Sequence, residues 1–443
     1  MPQPVTVVGG GLAGSEAAWQ LARRGVPVRL HEMRPTRPTP VHRTSALAEL
    51  VCSNSLKALD PATPHGLLKA EMERLGSLIV RCAHRTRVPA GGALAVDRDA
   101  FSDAVTVALL EEPNVTVVRE EVTAIPEGIV VLAAGPMVSD ALRDALARFI
   151  GRDYLYFFDA ISPVVEADSI DRDLVFPASR YGKGGGEDYL NCPLNEAEYD
   201  AFVSALLSGE KAPLHEVDRT PFFEGCLPIE EMARRGRDTL RFGPMKPVGL
   251  VNPRTGVRPF AVVQLRQDNL AAEHYSMVGF QTQLRWPEQT RIFRTLPGLA
   301  GAEFVRLGQI HRNCYIDAPT VLLDTLQARS RPTLFFAGQI SGVEGYTESA
   351  ATGLLAGMNA ARLAWDQPAR TLPPSTMLGA LCRYVSSAPA GEYQPMNAAF
   401  GLLPPVEGER GKKRDRRAHR AAAALAALDA WLAACGDEAP TLS

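Results

Sequence analysis

Gly9, Gly11 and Gly14 stand in the run Gly9-Gly10-Gly11-Leu12-Ala13-Gly14, directly after Val5-Thr6-Val7-Val8. That spacing suits one task, holding a pyrophosphate on backbone N–H groups. The first glycine permits a tight turn, the second lets backbone approach the anion, and the third lets the next helix pack on the strand. The helix N-terminus then presents its unpaired N–H groups to the phosphates. A second apolar run, Val26 to Leu30, ends at His31-Glu32. Glu32 falls near the spacing at which a carboxylate meets a ribose hydroxyl. An ordinary strand–helix turn explains the glycines but leaves Glu32 without a task.

A second glycine-rich stretch lies near the other end of the chain. Leu334-Phe335-Phe336-Ala337-Gly338-Gln339 runs on into Ser341-Gly342-Val343-Glu344-Gly345-Tyr346. The two stretches read as halves of one FAD site, and the protein as a redox enzyme. The expected cofactor contacts are Gly9, Gly10, Gly11, Leu12, Ala13, Gly14, Glu32, Gly338, Gln339 and Tyr346.

The elements that must position these residues follow from pattern switches. Residues 1–150 alternate strand and helix signals: a helix from Ala13 to about Arg24, which Gly25 can cap, and a strand Ile129 to Leu132 ending at Ala133-Ala134-Gly135-Pro136. Residues 151–325 change to aromatics, prolines and short β-like runs such as Phe260 to Leu265, the texture of an inserted α+β domain for substrate or RNA. Residues 326–443 return to the first domain, with a helix over Ala350 to Leu363, a linker Pro368 to Pro374 and an alanine-rich helix near Ala421 to Ala434. The fold class is therefore α/β, a discontinuous Rossmann-like FAD-binding domain with glutathione-reductase-like half-sites at both chain ends. The loop Tyr181-Gly182-Lys183-Gly184-Gly185-Gly186 is expected to be mobile, and it lacks the helix that would support a phosphate cradle.

Length and composition suit two or three globular domains with ample core, since 443 residues hold 46% hydrophobic and 22% charged side chains. There is no basic-then-apolar leader and no apolar run near the length of a membrane span, so the expectation is a cytoplasmic chain without membrane contact. Seven scattered cysteines fit a reducing compartment. His311-x-x-Cys314 is the closest approach to a metal spacing and reads as a structural pair. The net charge of −3 carries no overall nucleic-acid signal. Locally, Arg410, Lys412, Lys413, Arg414, Arg416, Arg417 and Arg420 are opposed only by Asp415, and Arg234, Arg235, Arg237 and Arg241 form a second cluster. Such stripes either bind phosphates or serve as a solvated helix face.

Two cysteines stand apart by context. Cys52 sits in Leu50-Val51-Cys52-Ser53-Asn54-Ser55, and Cys226 in Glu224-Gly225-Cys226-Leu227-Pro228. Neither has a neighbouring cation in sequence to stabilise a thiolate.

Taken in order, these segments resemble the folate- and FAD-dependent tRNA (uracil-5-)-methyltransferases, the TrmFO family. The resemblance is carried by Gly9 to Gly14, Glu32-Met33-Arg34-Pro35, Cys52 to Ser55, Phe158-Asp159-Ala160 and Glu224 to Pro228. It continues through Leu240 to Leu250, Gln264 to Asp268, Met277 to Thr282, Ala337 to Ser349 and Pro395 to Pro405, nearly the whole chain. Two positions depart from the family pattern: Gln283 replaces the usual histidine and Cys314 the usual threonine. A wobble-uridine-modifying flavoprotein family shares the terminal motifs but is longer, with an extra helical C-terminal domain.

The resemblance implies C5-methylation of the T-loop uridine of tRNA, with methylenetetrahydrofolate as carbon donor, FAD as redox cofactor and NADH or NADPH as reductant. It implies Cys226 as the thiol that adds to uracil C6, and Cys52 as a second thiol near the flavin; either assignment fits the chemistry. Tyr346 is a stacking partner for pterin, flavin or base, or else a core tyrosine. Glu344, Glu348 and water are alternatives for the C5-proton base. An FAD oxidoreductase acting on a small molecule, and a nucleic-acid-binding flavoprotein without catalysis, remain competing readings. Oligomeric state is not legible.

Overall fold

Four β-branched or aromatic runs too short to bury themselves solve the problem by pairing in one parallel sheet. In the computed structural model, which describes residues 1–151, 155–213, 227–389, 393–406 and 411–435 (backbone only at 155–159 and 311–312), that sheet has six strands. Their order is Gln327–Ala328, Arg331–Phe336, Ile129–Leu132, Val5–Val8, Val28–His31 and Val115–Val118. All neighbours are parallel except the outermost pair, Gln327–Ala328 with Arg331–Phe336.

The register brings four strand ends level. Val8 pairs with His31 and with Leu132, and Leu132 pairs with Phe336. Backbone bonds continue past the strands from Gly9 N–H to His31 O (2.8 Å), Ala133 N–H to Val8 O (2.8 Å) and Ala337 N–H to Leu132 O (3.0 Å). Chain segments some 300 residues apart thus leave the sheet at one edge, its carboxyl end, where open α/β sheets bind ligands.

Helix Leu12–Ala22 is buried along its length because a second helix, Tyr346–Ala364, lies against it. Gly353 and Gly357 make that approach feasible. A Cβ at Gly357 would stand 2.6 Å from Ala17 O, and one at Gly353 2.6 Å from Ala13 Cα. Close crossing of this kind gains dispersion contacts that larger side chains would forbid.

A second sheet has its own core, including Val165, Cys192, Phe202, Val263, Phe280 and Phe293. It is antiparallel, in the order Phe176–Pro177, Tyr189–Leu194, Ala261–Gln267, His274–Met277, Val164–Glu166 and Phe304–Arg306. A two-stranded ribbon, Leu155–Ala160 with Ile310–Tyr315, stands where the chain leaves for this sheet and returns from it. The C-terminal part adds helices Met377–Ser387 and Lys413–Cys435; the latter buries Ala421, Ala424 and Leu428. Among the described residues no helix is long and apolar enough to cross a membrane.

Candidate functional site

The level strand ends open into a cavity of about 420 Å³ lined from both glycine-rich stretches, by Gly9, Gly11, Leu12 and Ala13 and by Gly338, Gln339, Glu344, Gly345, Tyr346 and Thr347. The three glycines of the first turn occupy distinct environments. Gly9 has φ of +102°, and a Cβ there would sit 2.8 Å from Ala134 Cα. At Gly14 a Cβ would overlap the Gly9 carbonyl, so this position sets the distance between helix and strand. Gly11 is extended, at φ −73°, and a Cβ there meets nothing within 4 Å. Its missing side chain is needed neither for backbone conformation nor for packing; it leaves room on the cavity side. That is the cradle a pyrophosphate requires at a helix N-terminus.

Gly10 does not face such space. A Cβ there would lie 2.5 Å from Leu47 Cδ2 and 2.9 Å from Glu32 Oε2. Its N–H donates to Glu32 Oε2 at 3.0 Å. Glu32 Oε1 accepts from Arg34 N–H and Nε, both at 2.9 Å, and Oε2 also from Arg34 Nη2 at 3.3 Å. These four bonds fill the acceptor capacity of a carboxylate. Burial pushes Glu32 upward, but hydrogen bonds and charge from Arg34 outweigh it and hold the carboxyl below its usual range. Spacing alone assigns Glu32 to a ribose hydroxyl. It lines the cavity, yet a ribose would meet a carboxylate already engaged, the Arg34 Nη2 contact being its longest. Sequence alone gives no sign of Arg34 in the site, because an arginine two positions after the acid carries no signal of its own.

At the other chain end Gly338 has φ of +79°, and a Cβ there would stand 2.9 Å from Ala13 Cβ. Gly345, at φ +113°, starts helix Tyr346–Ala364. Two helices therefore begin at the same cavity, one from each end of the chain.

Tyr346 and Cys52 meet there. The Cys52 and Ser53 N–H groups donate to Tyr346 Oη at 2.7 and 3.1 Å, and Cys52 Sγ lies 3.0 Å from the same oxygen. Both residues line the cavity. Burial pushes the Tyr346 phenol well above its usual value. The phenol therefore stays protonated as a donor. Cys226 lies outside the described residues, as does Arg410.

The two carboxylates considered as proton acceptors separate. Glu344 lines the cavity. Glu348 is fully buried beneath it, 2.9 Å from His65 Nδ1, with Ala398 N–H donating at 3.0 Å. Burial raises Glu348, but His65 and Lys57 outweigh it and hold the carboxyl down at about 2. Gln283 turns away from the cavity: its N–H donates to Glu230 Oε1 and its amide to Ala212 O. Cys314 Sγ bonds the Pro136 carbonyl at 3.3 Å.

The basic clusters differ in availability. Arg237 is spent on Asp200 (2.7 Å) and Glu196 (2.8 Å), and Arg241 on Asp238 (2.8 Å) and the face of Phe260. Lys412, Lys413, Arg414 and Arg416 stand exposed at the start of the last helix, which begins at Lys413 and takes in the basic run. The loop expected to be mobile is pinned: Asp188 accepts from Gly185 N–H at 3.0 Å and Gly91 N–H at 2.6 Å. Its own carboxylate takes the place a phosphate would have had.

Comparison with known proteins agrees with this geometry. The family model described as "Glucose inhibited division protein A" matches residues 4–368. The chain is 58% identical to the methylenetetrahydrofolate–tRNA-(uracil-5-)-methyltransferase TrmFO of Geobacter sulfurreducens over 98% of this chain and 100% of that protein. It is likewise 58% identical to the TrmFO of a Synechococcus strain, over 96% and 95% respectively. Of solved structures, a crystal form of Aquifex aeolicus GidA superposes with a TM-score of 0.72 at 17% identity, covering 99% of this chain and 76% of that one. GidA shares the fold, and the end-to-end identity with proteins of one name means that the chain belongs to the TrmFO family.

Proposed function

We propose that this protein methylates C5 of the T-loop uridine of tRNA, taking the carbon from methylenetetrahydrofolate and electrons from NADH or NADPH through FAD, in the cytoplasm. The observation that carries the reading is the single cavity onto which both glycine-rich ends and the Cys52–Tyr346 pair open, in a chain of this family.

The residues fit FAD. Gly11, Leu12 and Ala13 would hold its pyrophosphate, Glu32 would take its ribose by giving up its longest bond, that from Arg34 Nη2, and Gly338, Gln339 and the Gly345–Thr347 helix start would hold its flavin end. When bound and reduced, FAD supplies the electrons that turn a transferred methylene into a methyl group. Uracil C5 is a poor nucleophile, and the chain supplies the remedy. The Cys226 thiolate adds to C6, so that the C5–C6 π electrons become an enolate able to attack a one-carbon electrophile from C5. Loss of the C5 proton expels the amine that carried the carbon and leaves an exocyclic methylene at C5. Two electrons and a proton, delivered to that methylene as hydride, make the methyl group, and the thiolate leaves C6 to restore the C5–C6 double bond. Of the two carboxylates weighed for this task, Glu344 lines the cavity and is suited to accept that proton, whereas Glu348 is fully buried and committed to His65. The base must leave its stack to reach the cavity. The exposed Lys412 to Arg416 run is the surface for the phosphates of the T-arm.

Purified protein given FAD, NADPH, unmodified T-arm RNA and methylenetetrahydrofolate carrying a labelled methylene tests this. Ribothymidine with the labelled carbon, absent when folate or flavin is omitted, is the expected product. NADPH oxidation indifferent to folate and RNA would instead mark an oxidoreductase of small molecules, and RNA binding without product a non-catalytic flavoprotein.

A further inference from the structure

Three guanidinium groups from distant parts of the chain converge on the segment that carries Cys52. Arg98 Nη1 donates to the Leu50 carbonyl at 2.9 Å and Arg306 Nη1 to the Val51 carbonyl at 2.8 Å. Arg266 donates to Asn54 Oδ1 at 2.8 Å and to Ser53 Oγ at 2.9 Å. Residues 50, 51, 53 and 54 are each tied to an arginine, with Cys52 at their centre.

Among the described residues the charges in this cluster do not balance. Their carboxylate is Asp268, which takes Arg98 at 2.9 and 3.2 Å and Ser276 Oγ at 2.5 Å. Arg306 Nε and Nη2 are buried with no acceptor among the described residues. Burial and the neighbouring Arg98 push the Arg306 guanidinium down to about 10. Arg43 adds positive charge near Arg306, while Tyr189 faces Arg266 as a neutral phenol. Buried cations without a counter-charge are strongly disfavoured, so the cluster calls for another anion.

Tyr346 does not provide it. Its oxygen already accepts from two backbone N–H groups, which use both lone pairs, so its own proton is left to donate, and Cys52 Sγ lies 3.0 Å away. The sulfur is placed as acceptor.

We propose that Cys52 rests as a thiolate at neutral pH, its charge held by the Arg98–Arg266–Arg306 clamp and its sulfur lone pair by the Tyr346 hydroxyl. Arg98, Arg266 and Arg306 are thus positioning residues that set the charge of a thiol on the cavity wall. A thiolate is a nucleophile where a thiol is not. This deepens the role given to Cys52 in the functional reading, yet its test needs no methylation.

The test is the S–H stretching band of the holoenzyme in infrared difference spectra, wild type minus Cys52→Ser, followed against pH. An ordinary cysteine, with a pKa of about 8.5, is more than 90% thiol at pH 7. The wild type should show no Cys52 band at pH 7, and the band should emerge on acidification. Arg306→Met should show it at pH 7, Arg306→Lys should lose it again, and Tyr346→Phe should move its midpoint upward. A Cys52 S–H band in the wild type at pH 7 overturns the proposal whether or not any variant folds. So does an Arg306→Met profile that overlays the wild type. Failure of methylation with the band absent at pH 7 would leave the thiolate standing and remove only the functional reading.

Discussion

Gly11→Ala separates cofactor recognition from folding. Gly11 has φ of −73°, accessible to any residue, and its Cβ site is empty to 4 Å, so alanine there neither strains the backbone nor meets a neighbour. At an N-cap position the exchange of glycine for alanine costs only a fraction of a kcal/mol to about 1 kcal/mol. The added methyl occupies the room on the cavity side, where a pyrophosphate would approach the N–H groups that open helix Leu12–Ala22. Losing one charge-assisted hydrogen bond there costs about 1.5–3 kcal/mol, a weakening of FAD of roughly 10- to 150-fold. Flavin fluorescence quenching gives the affinity, and thermal unfolding of the apoprotein gives the fold. The expected outcome is an apoprotein melting close to wild type whose stabilisation by added FAD shrinks by RT ln of the affinity ratio. Gly14→Ala is the contrast, because its Cβ would overlap the Gly9 carbonyl and should lower the melting temperature of the apoprotein itself. A Gly11→Ala protein that binds FAD like the wild type would refute the assignment of this turn.

Three further outcomes are expected. Cys226→Ala should abolish formation of ribothymidine while leaving the bound flavin and its colour; full activity would remove Cys226 from the mechanism. Glu348 has a folded value of about 2, below its ordinary 4.5, so its contribution is fully present above about pH 4.5 and is lost as pH falls toward 2. That contribution is at most roughly 3 kcal/mol, and Glu348→Gln should flatten the acid limb of a urea-midpoint-versus-pH curve, an unchanged limb counting against the His65–Glu348 pair. Replacing Lys412, Lys413, Arg414 and Arg416 by glutamine should weaken tRNA binding and make log affinity fall less steeply with log salt, by roughly one in slope for each phosphate no longer neutralised. Filter binding across a salt series reads both, and an unchanged slope would remove this run from the RNA surface.

The sequence made the sheet legible where burial on both faces demands unbroken apolar runs: Val5–Val8 and Ile129–Leu132 form strands with the expected bounds. Helix ends were less legible. Helix Tyr346–Ala364 starts four residues before the expected Ala350, because Gly345 at φ +113° starts a polar first turn that carries no apolar period. The last helix likewise begins at Lys413 rather than near Ala421, its first turns being almost wholly charged. In the site, the needs of Gly9 and Gly14 follow from spacing, since each answers to a local backbone constraint, while Gly11 instead leaves room on the cavity side. What surrounds Cys52 does not, because Arg98, Arg266 and Arg306 come from a helix and two strands that only the folded chain assembles. The same holds for Glu32, whose partner Arg34 faces it only through the turn between them.

Both ends of the polypeptide are assigned to one flavin, and a structure of the FAD-loaded enzyme tests this most directly. It should contain one FAD, with its pyrophosphate on the Gly11 turn and its ring system beside Gly338 and Tyr346. FAD seated on the Gly11 turn with its rings leading away from Gly338 and Tyr346 would contradict it, as would protein that takes up no FAD at all.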